Sequence, residues 1–166
     1  MCLYPEDLKL KRQALTELGL KFQSGNFTWD SVRTHGILFR CLEVGKHKPT
    51  CGRILAHCKD QISRMREVLG VRICIFKIGV SANPVSRFLS YADKGFTCMR
   101  VINMSTSVDL THMLEAALIG EFGKHVGCRN KEGSGGEGAL NREELAESHF
   151  YVYVVGGRAD QPRWVG

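Results

Sequence analysis

The sequence predicts an α+β fold: a small three-stranded sheet, mixed or antiparallel, flanked by helices and preceded by a helical N-terminal extension. Two observations predict it. Apolar residues recur at helical spacing through residues 1–70, and β-branched runs then alternate with capped helical segments. The chain has 166 residues, the length of one domain, and its 43% hydrophobic and 24% charged residues exclude disorder along the whole length.

Three helices are expected in residues 1–70. The first starts at Pro5, which is followed by two acidic residues. The second follows an N-cap at Thr28, and its apolar residues are Trp29, Val32, Leu38, Phe39 and Leu42. The third runs from about Arg53 to Leu69 and ends at Gly70.

After Gly70 the pattern becomes that of strands alternating with helices. Residues 71–80 predict a buried strand, and Asn83 caps a short helix that reaches about residue 93. Residues 96–104 predict a second strand. A helix over 108–122 follows, with a core stripe expected at Leu110, Met113, Leu114, Ala117, Leu118 and Phe122.

The last part of the chain predicts one more strand after a glycine-rich loop. The loop covers residues 127–138, a helical turn is expected at 142–147, and the strand covers 150–155. The expected organisation is therefore a basic helical extension at 1–70, a sheet-containing domain at 71–157 and a polar tail at 158–166.

Charge and cysteine usage narrow the expected partners and compartment. The net charge is +6, and residues 1–70 hold 12 basic against 7 acidic side chains, so a polyanion such as nucleic acid is expected to contact the extension. A solvated basic surface is the alternative. Seven scattered cysteines predict reduced thiols in an intracellular protein, in nucleus or cytoplasm, and no apolar run predicts a membrane span.

Two charged residues stand out in the predicted domain. Arg87 lies in the first turn of the helix that follows the first strand, where a guanidinium can grip a phosphate with two hydrogen bonds. A surface ion pair is its alternative role. Glu115 has apolar or small neighbours, and a carboxylate there needs a partner or a cation unless it lies at the edge of an amphipathic helix.

Taken together, these segments resemble the GIY-YIG nuclease superfamily. The segment Lys77-Ile78-Gly79 stands where the family has Tyr-Ile-Gly, and Arg87 follows at the family's arginine position. Glu115 matches the family's metal-binding glutamate, and Asn130 falls near its asparagine. The resemblance covers about residues 71–157.

The first strand of that family, Gly-Ile-Tyr, has no counterpart upstream of Lys77. The C-terminal strand, residues 150–156, resembles it moved to the end of the chain, so the resemblance implies a circularly permuted domain. Tyr153 is the preferred match for the family's tyrosine, and Tyr151 lies on the same face of the strand. Tyr91 stands where many members have histidine; Lys77 and Tyr91 both keep a proton donor.

The resemblance implies metal-dependent hydrolysis of phosphodiester bonds, with DNA as the expected substrate. Glu115 would hold Mg²⁺ or Mn²⁺, and Arg87 would neutralise charge on the phosphate. Tyr153, with its pKa lowered by nearby cations, would accept a proton from the attacking water, assisted by Lys77. Asn130 would order the loop or a second layer of contacts.

Other functions remain open from the sequence. The domain could bind nucleic acid without cutting it, or it could be a structural or protein-interaction domain with an incidental charge. Oligomeric state is open as well. A zinc site is the rival metal hypothesis, although its candidate ligands are irregularly spaced: Cys41, His47, Cys51, His57 and Cys58.

Overall fold

The computed structural model of the chain describes residues 5–42, 48–130, 140 and 142–160. Its α-helices are α1 (Pro5–Gln23), α2 (Cys51–Leu69), α3 (Pro84–Ala92) and α4 (Val108–Phe122). Short 3₁₀ helices cover Trp29–His35 and Glu144–Ala146. The strands are β1 (Ile37–Phe39), β2 (Cys74–Ser81), β3 (Cys98–Ser105) and β4 (Phe150–Arg158).

The four strands form one mixed sheet in the order β1-β3-β4-β2. The C-terminal strand β4 lies inside the sheet and is antiparallel to both β2 and β3, whereas β1 is parallel to β3 at the edge. Strands β1, β2 and β3 therefore run in the same direction. Their carboxyl ends, and the residues that follow them, lie at one end of the sheet.

Strand β4 separates two apolar cores because its side chains alternate between the faces of the sheet. Val152 and Val154 pack on the face covered by α2 and α4. Tyr151, Tyr153 and Val155 pack on the opposite face, against α1 and α3. A strand buried on both faces is what the run of β-branched and aromatic residues predicts.

The α+β class is confirmed, but the prediction of a three-stranded sheet is wrong, and so is the prediction of a helix over residues 28–42. The 3₁₀ helix ends at Gly36, whose φ of 85° favours glycine. A Cβ at Gly36 would meet the carbonyl oxygen of Thr97 at 2.8 Å. The Gly36 carbonyl accepts a hydrogen bond from Met99, and residues 37–39 then pair with β3.

The core stripe predicted for α4 is displaced around the helix. Leu110 and Met113 are 55% and 67% exposed and Ala117 is exposed as well, so the prediction that these three residues belong to the core is wrong. The buried positions of α4 are Thr111, Glu115, Leu118, Ile119 and Phe122. Thr111 can be buried because its hydroxyl donates to the Ser107 carbonyl at 2.7 Å, which satisfies the polar group within the helix.

Other predicted elements are confirmed within a few residues, including the three predicted strands and the helices α2, α3 and α4. The cap of α3 is present: Asn83 Oδ1 accepts a hydrogen bond from the Ser86 amide at 3.1 Å. Most of the predicted glycine-rich loop (131–139) and most of the polar tail (161–166) lie outside the described residues. Among the described residues, no helix is both long and apolar enough to cross a bilayer.

The predicted boundary at residue 70 stays a prediction. Strand β1, which precedes it, belongs to the same sheet as the three later strands, and α1 packs against α3. The first seventy residues thus contribute one sheet edge and one helix to the face where Tyr153 lies.

Candidate functional site

Tyr153 and Gly79 face each other across the paired strands β2 and β4. They are register partners, and a Cβ at Gly79 would meet the Tyr153 hydroxyl oxygen at 2.5 Å. No side chain larger than hydrogen therefore fits at residue 79 unless the tyrosine ring moves. The glycine of the Lys77-Ile78-Gly79 segment is what allows the Tyr153 ring to lie across β2.

The Tyr153 hydroxyl group is paired with Tyr91 of α3. The two hydroxyl oxygens are 3.2 Å apart and both residues are buried. Burial, and secondarily Tyr91, raises the pKa of Tyr153 well above its ordinary value. This direction is opposite to the lowered pKa expected from the sequence, so in the chain alone Tyr153 is a neutral phenol at physiological pH.

Lys77 lies on the same side of β2 as Gly79, because the two residues are two positions apart in the strand. Its Nζ is 5.9 Å from the centre of the Tyr91 ring, a cation–π distance. The positive charge of Lys77 also lowers the pKa of Glu115. Lys77 therefore lies over the ring of Tyr91, and its charge also acts on the carboxylate of α4.

Glu115 is a buried carboxylate, with only 2% of its surface exposed. Desolvation raises the pKa of Glu115, and the opposing effects come from His112 and Lys77. His112 Nδ1 lies 3.4 Å from Glu115 Oε2. The negative charge of Glu115 is in turn a minor cause of the raised pKa of Tyr153, which lies on the other face of the sheet. A carboxylate in this setting gains from any added cation.

Arg87 forms an ion pair with Glu144, a carboxylate that was not among the site residues predicted from the sequence. Arg87 Nη2 is 3.4 Å from Glu144 Oε2, and both side chains are partly buried. Glu144 Oε1 accepts hydrogen bonds from the Ser81 hydroxyl at 2.9 Å and from the Ala82 amide at 3.4 Å. A guanidinium, a hydroxyl and a backbone amide thus converge on one carboxylate at the end of β2, in the manner that an oxyanion is bound.

The cleft beside this ion pair is small and acidic. Its volume is about 140 Å³, and its lining consists of Phe22, Gln23, Ala82, Asn83, Glu143, Glu144 and Glu147. Three glutamates repel a polyanion, so Arg87 would have to offset them for a phosphate to approach.

Asn130 supports the strand that holds Lys77 and Gly79. Its Oδ1 accepts from the Ile78 amide at 2.9 Å, and its Nδ2 donates to the Ile78 carbonyl at 2.8 Å. The side-chain amide therefore imitates a neighbouring strand at the edge of β2, next to backbone hydrogen bonds between Phe76 and residues 127 and 129. This contact agrees with the loop-ordering role expected for Asn130.

Tyr151 lies two residues before Tyr153 but in different surroundings. Its ring contacts those of Phe22 and Trp29, with centroids 5.6 and 5.7 Å away. These rings belong to a cluster with Phe27 and Phe39 that anchors the 3₁₀ helix. The surroundings of the two tyrosines favour Tyr153 over Tyr151 as the residue of the site.

Sequence reasoning missed three residues that contact the predicted ones. His112 could have been found, because it precedes Glu115 by three positions and i,i+3 side chains are neighbours on a helix. The contact between Ser81 and Glu144 could not be predicted from the sequence, because it joins residues that are 63 positions apart.

The zinc hypothesis finds little support in the described part of the chain. No group of three or more His, Cys, Asp or Glu side chains there could hold a metal ion, and His47 lies outside it. Burial raises the pKa of Cys58 to about 12 and raises that of Cys41 as well.

The groups described above define a class of site: a buried carboxylate and a phenol pair, flanked by a lysine and by an arginine that binds an oxyanion. Protein-family models, curated proteins and solved structures were compared with the chain, and none of them matches it.

Proposed function

We propose that this protein is a metal-dependent endonuclease of the GIY-YIG type, circularly permuted, which hydrolyses phosphodiester bonds in DNA. One observation supports the proposal more than any other. Tyr91 contacts both Tyr153 and Lys77 on one face of the paired strands β2 and β4. Glu115 of α4 lies on the other face of the sheet, close enough for its charge to affect Tyr153.

The position of β4 supports the permutation. A strand moved to the end of the chain can replace a missing first strand only if it pairs with the strand of the second motif. Strand β4 pairs with all eight residues of β2, and Tyr153 lies opposite the glycine of that motif. The pairing is antiparallel, as it is in a hairpin.

Glu115 is the residue that would hold a divalent cation. Because no group of three or more His, Cys, Asp or Glu side chains in the described residues could hold a metal ion, water would have to supply most of the other ligands. Glu115 is a desolvated carboxylate with a raised pKa, and Mg²⁺ commonly binds through one or two carboxylates while keeping several waters. Glu115 would hold the ion, with His112 as a neighbour. When bound, the metal supplies positive charge that stabilises the leaving oxygen of the phosphodiester.

The chain's own residues bind the phosphate and move the proton. A phosphate that reaches Arg87 would compete with the Glu144 carboxylate for Nη2, the guanidinium nitrogen that lies 3.4 Å from Glu144 Oε2. Tyr153 is neutral, so its loss of a proton depends on nearby positive charge, and Arg87 lowers the pKa of Tyr153. A Tyr153 phenolate stabilised in this way can accept the proton of the attacking water. Asn130 and Gly79 keep the strand and the ring in place.

A second candidate function is a nucleic-acid-binding module without cleavage. The pairing of Arg87 with Glu144 favours it, because a permanent ion pair would occupy the arginine. The neutral, buried Tyr153 favours it for a similar reason, since a base must lose its proton first. A structural or interaction domain would show neither binding nor cleavage.

A matched pair of tyrosine variants tests the proposal. Wild type, Tyr153→Phe and Tyr151→Phe are incubated with supercoiled plasmid and Mg²⁺ or Mn²⁺. Tyr153→Phe should reduce the cleavage rate by about 10²- to 10⁴-fold, the usual contribution of a general acid or base, whereas Tyr151→Phe should cut at nearly the wild-type rate. Binding without cleavage by wild type would favour the module, and equal cleavage by both variants would refute the assigned role of Tyr153.

A further inference from the structure

Three arginines come together at the sheet edge opposite β2, and we call them the β1-edge arginines: Arg40, Arg64 and Arg100. Arg40 follows β1, and its amide donates to the Val101 carbonyl at 2.8 Å, directly after Arg100 in β3. Arg100 Nη1 reaches Gln61 of α2. Arg64 lies one helical turn after Gln61 on α2, so all three guanidinium groups belong to the same surface.

The charge of this surface is only partly neutralised within the described residues. Asp60 Oδ2 accepts from Arg64 Nε at 2.7 Å, and this exposed ion pair is the one carboxylate contact recorded for the three side chains. Arg100 contacts two uncharged oxygens of Gln61, each at 3.3 Å. Arg40 donates to the carbonyl of Phe39. Among the residues that the structure describes, three guanidinium groups and one carboxylate leave a net positive surface.

Holding these charges together costs stability. Burial is the main effect that lowers the pKa of Arg100, and the charges of Arg40 and Arg64 lower it further. Exposed like charges are normally separated by side-chain motion, but the Gln61 contacts tie Arg100 in place. An anion would relieve the repulsion, and planar guanidinium groups suit the oxygens of a phosphate.

We propose that the β1-edge arginines bind the phosphodiester backbone of the DNA strand whose cleavage was proposed above, at phosphates away from the scissile one. The proposal rests on that function for the identity of the anion. Arg40 follows β1 and Arg87 follows β2, so both lie toward the same end of the sheet. Arg64 and the side chain of Arg100 lie at α2 on one face of the sheet, whereas Arg87 lies in α3 on the other face, so the two sets of arginines would contact different phosphates.

The test measures the salt dependence of DNA binding in the Glu115→Gln background, where the DNA stays intact. A fluorescent duplex of about 20 base pairs is titrated with the parent, with Arg64→Gln, with Arg100→Gln and with the control Arg72→Gln. Arg72 is an exposed arginine before β2, so its variant has the same change in net charge. Each β1-edge variant should lower the slope of log K against log salt by about 0.9 per lost phosphate contact, and the control should not change it.

Melting curves show whether a variant is folded, and plasmid cleavage tests the nuclease proposal separately from the arginine surface. Arg64 is exposed, so its variant should fold even if Arg100→Gln does not. Slopes equal to that of the parent in both variants would overturn the proposal, and so would the absence of binding at low salt. If the variants lower the slope but the protein with Glu115 intact does not cut plasmid, the arginine surface stands and the nuclease proposal falls.

Discussion

Two carboxylates of the site, Glu115 and Glu144, lie in opposite surroundings. In α4, Glu115 is buried. Desolvation raises its pKa, and the smaller effects of His112 and Lys77 lower it. At the end of β2, Glu144 accepts hydrogen bonds from Arg87, Ser81 and Ala82. The first region has a negative charge that favours a cation, and the second has positive and polar donors that already hold an anion. In the proposed reaction, a metal ion would bind beside Glu115, and a phosphate would compete with the Glu144 carboxylate for Arg87.

The largest effect should follow from neutralising Glu115. Glu115→Gln removes the carboxylate that would hold the metal, so plasmid cleavage should fall by roughly 10²-fold or more. The same substitution should raise stability at neutral pH by about 1 kcal/mol, because a charge is no longer held out of water. Cleavage rates and denaturant melts measure the two effects. A variant that loses activity and stability together would point to a purely structural role of Glu115.

The pH dependence of stability provides the control for this substitution. A raised pKa means that the folded state binds the Glu115 proton more tightly than the unfolded chain, whose glutamate pKa is near 4.5. Stability from this group is therefore present below pH 4.5 and is lost as pH rises through the folded-state pKa. Wild type should show this loss relative to Glu115→Gln, and the two curves should converge at low pH.

The next effect should come from the contact between Gly79 and Tyr153. Gly79→Ala places a methyl group 2.5 Å from the Tyr153 hydroxyl oxygen, so it should destabilise the fold by about 1–3 kcal/mol and reduce cleavage. Gly120→Ala is the matched control, because Gly120 lies in α4 with no atom within 4 Å of an added Cβ. The control should gain about 0.5–1 kcal/mol of stability. Equal melting midpoints for the two variants would contradict the packing described here.

The sequence predicts those elements and site residues that depend on neighbouring residues, and it fails for those that depend on residues far along the chain. The strands β2 and β4 and the helix α3 follow from local patterns. So does Arg87, which is in the first turn of a helix after a strand, and so does Glu115, whose apolar or small neighbours in sequence are unusual for a charged residue. Strand β1 does not, because three apolar residues after a glycine carry no periodicity, and their partners in β3 lie 62 positions further along the chain. Glu144 has ordinary surroundings in sequence, and its importance depends wholly on β2 lying beside it.

The smallest effect should come from Glu144, whose ion pair with Arg87 is partly exposed to solvent. Glu144→Gln keeps an oxygen that can accept from Ser81 and Ala82, so the stability cost should stay below about 1 kcal/mol. It also removes the negative charge that competes with phosphate for Arg87. Affinity for DNA should therefore rise several-fold at low salt, and the gain should disappear when Arg87→Gln is combined with it. Glu147→Gln, which removes another glutamate of the same cleft without a recorded contact to Arg87, is the control for net charge. An equal gain in both single variants would mean that DNA senses the overall charge of the cleft and that Glu144 does not compete for the arginine.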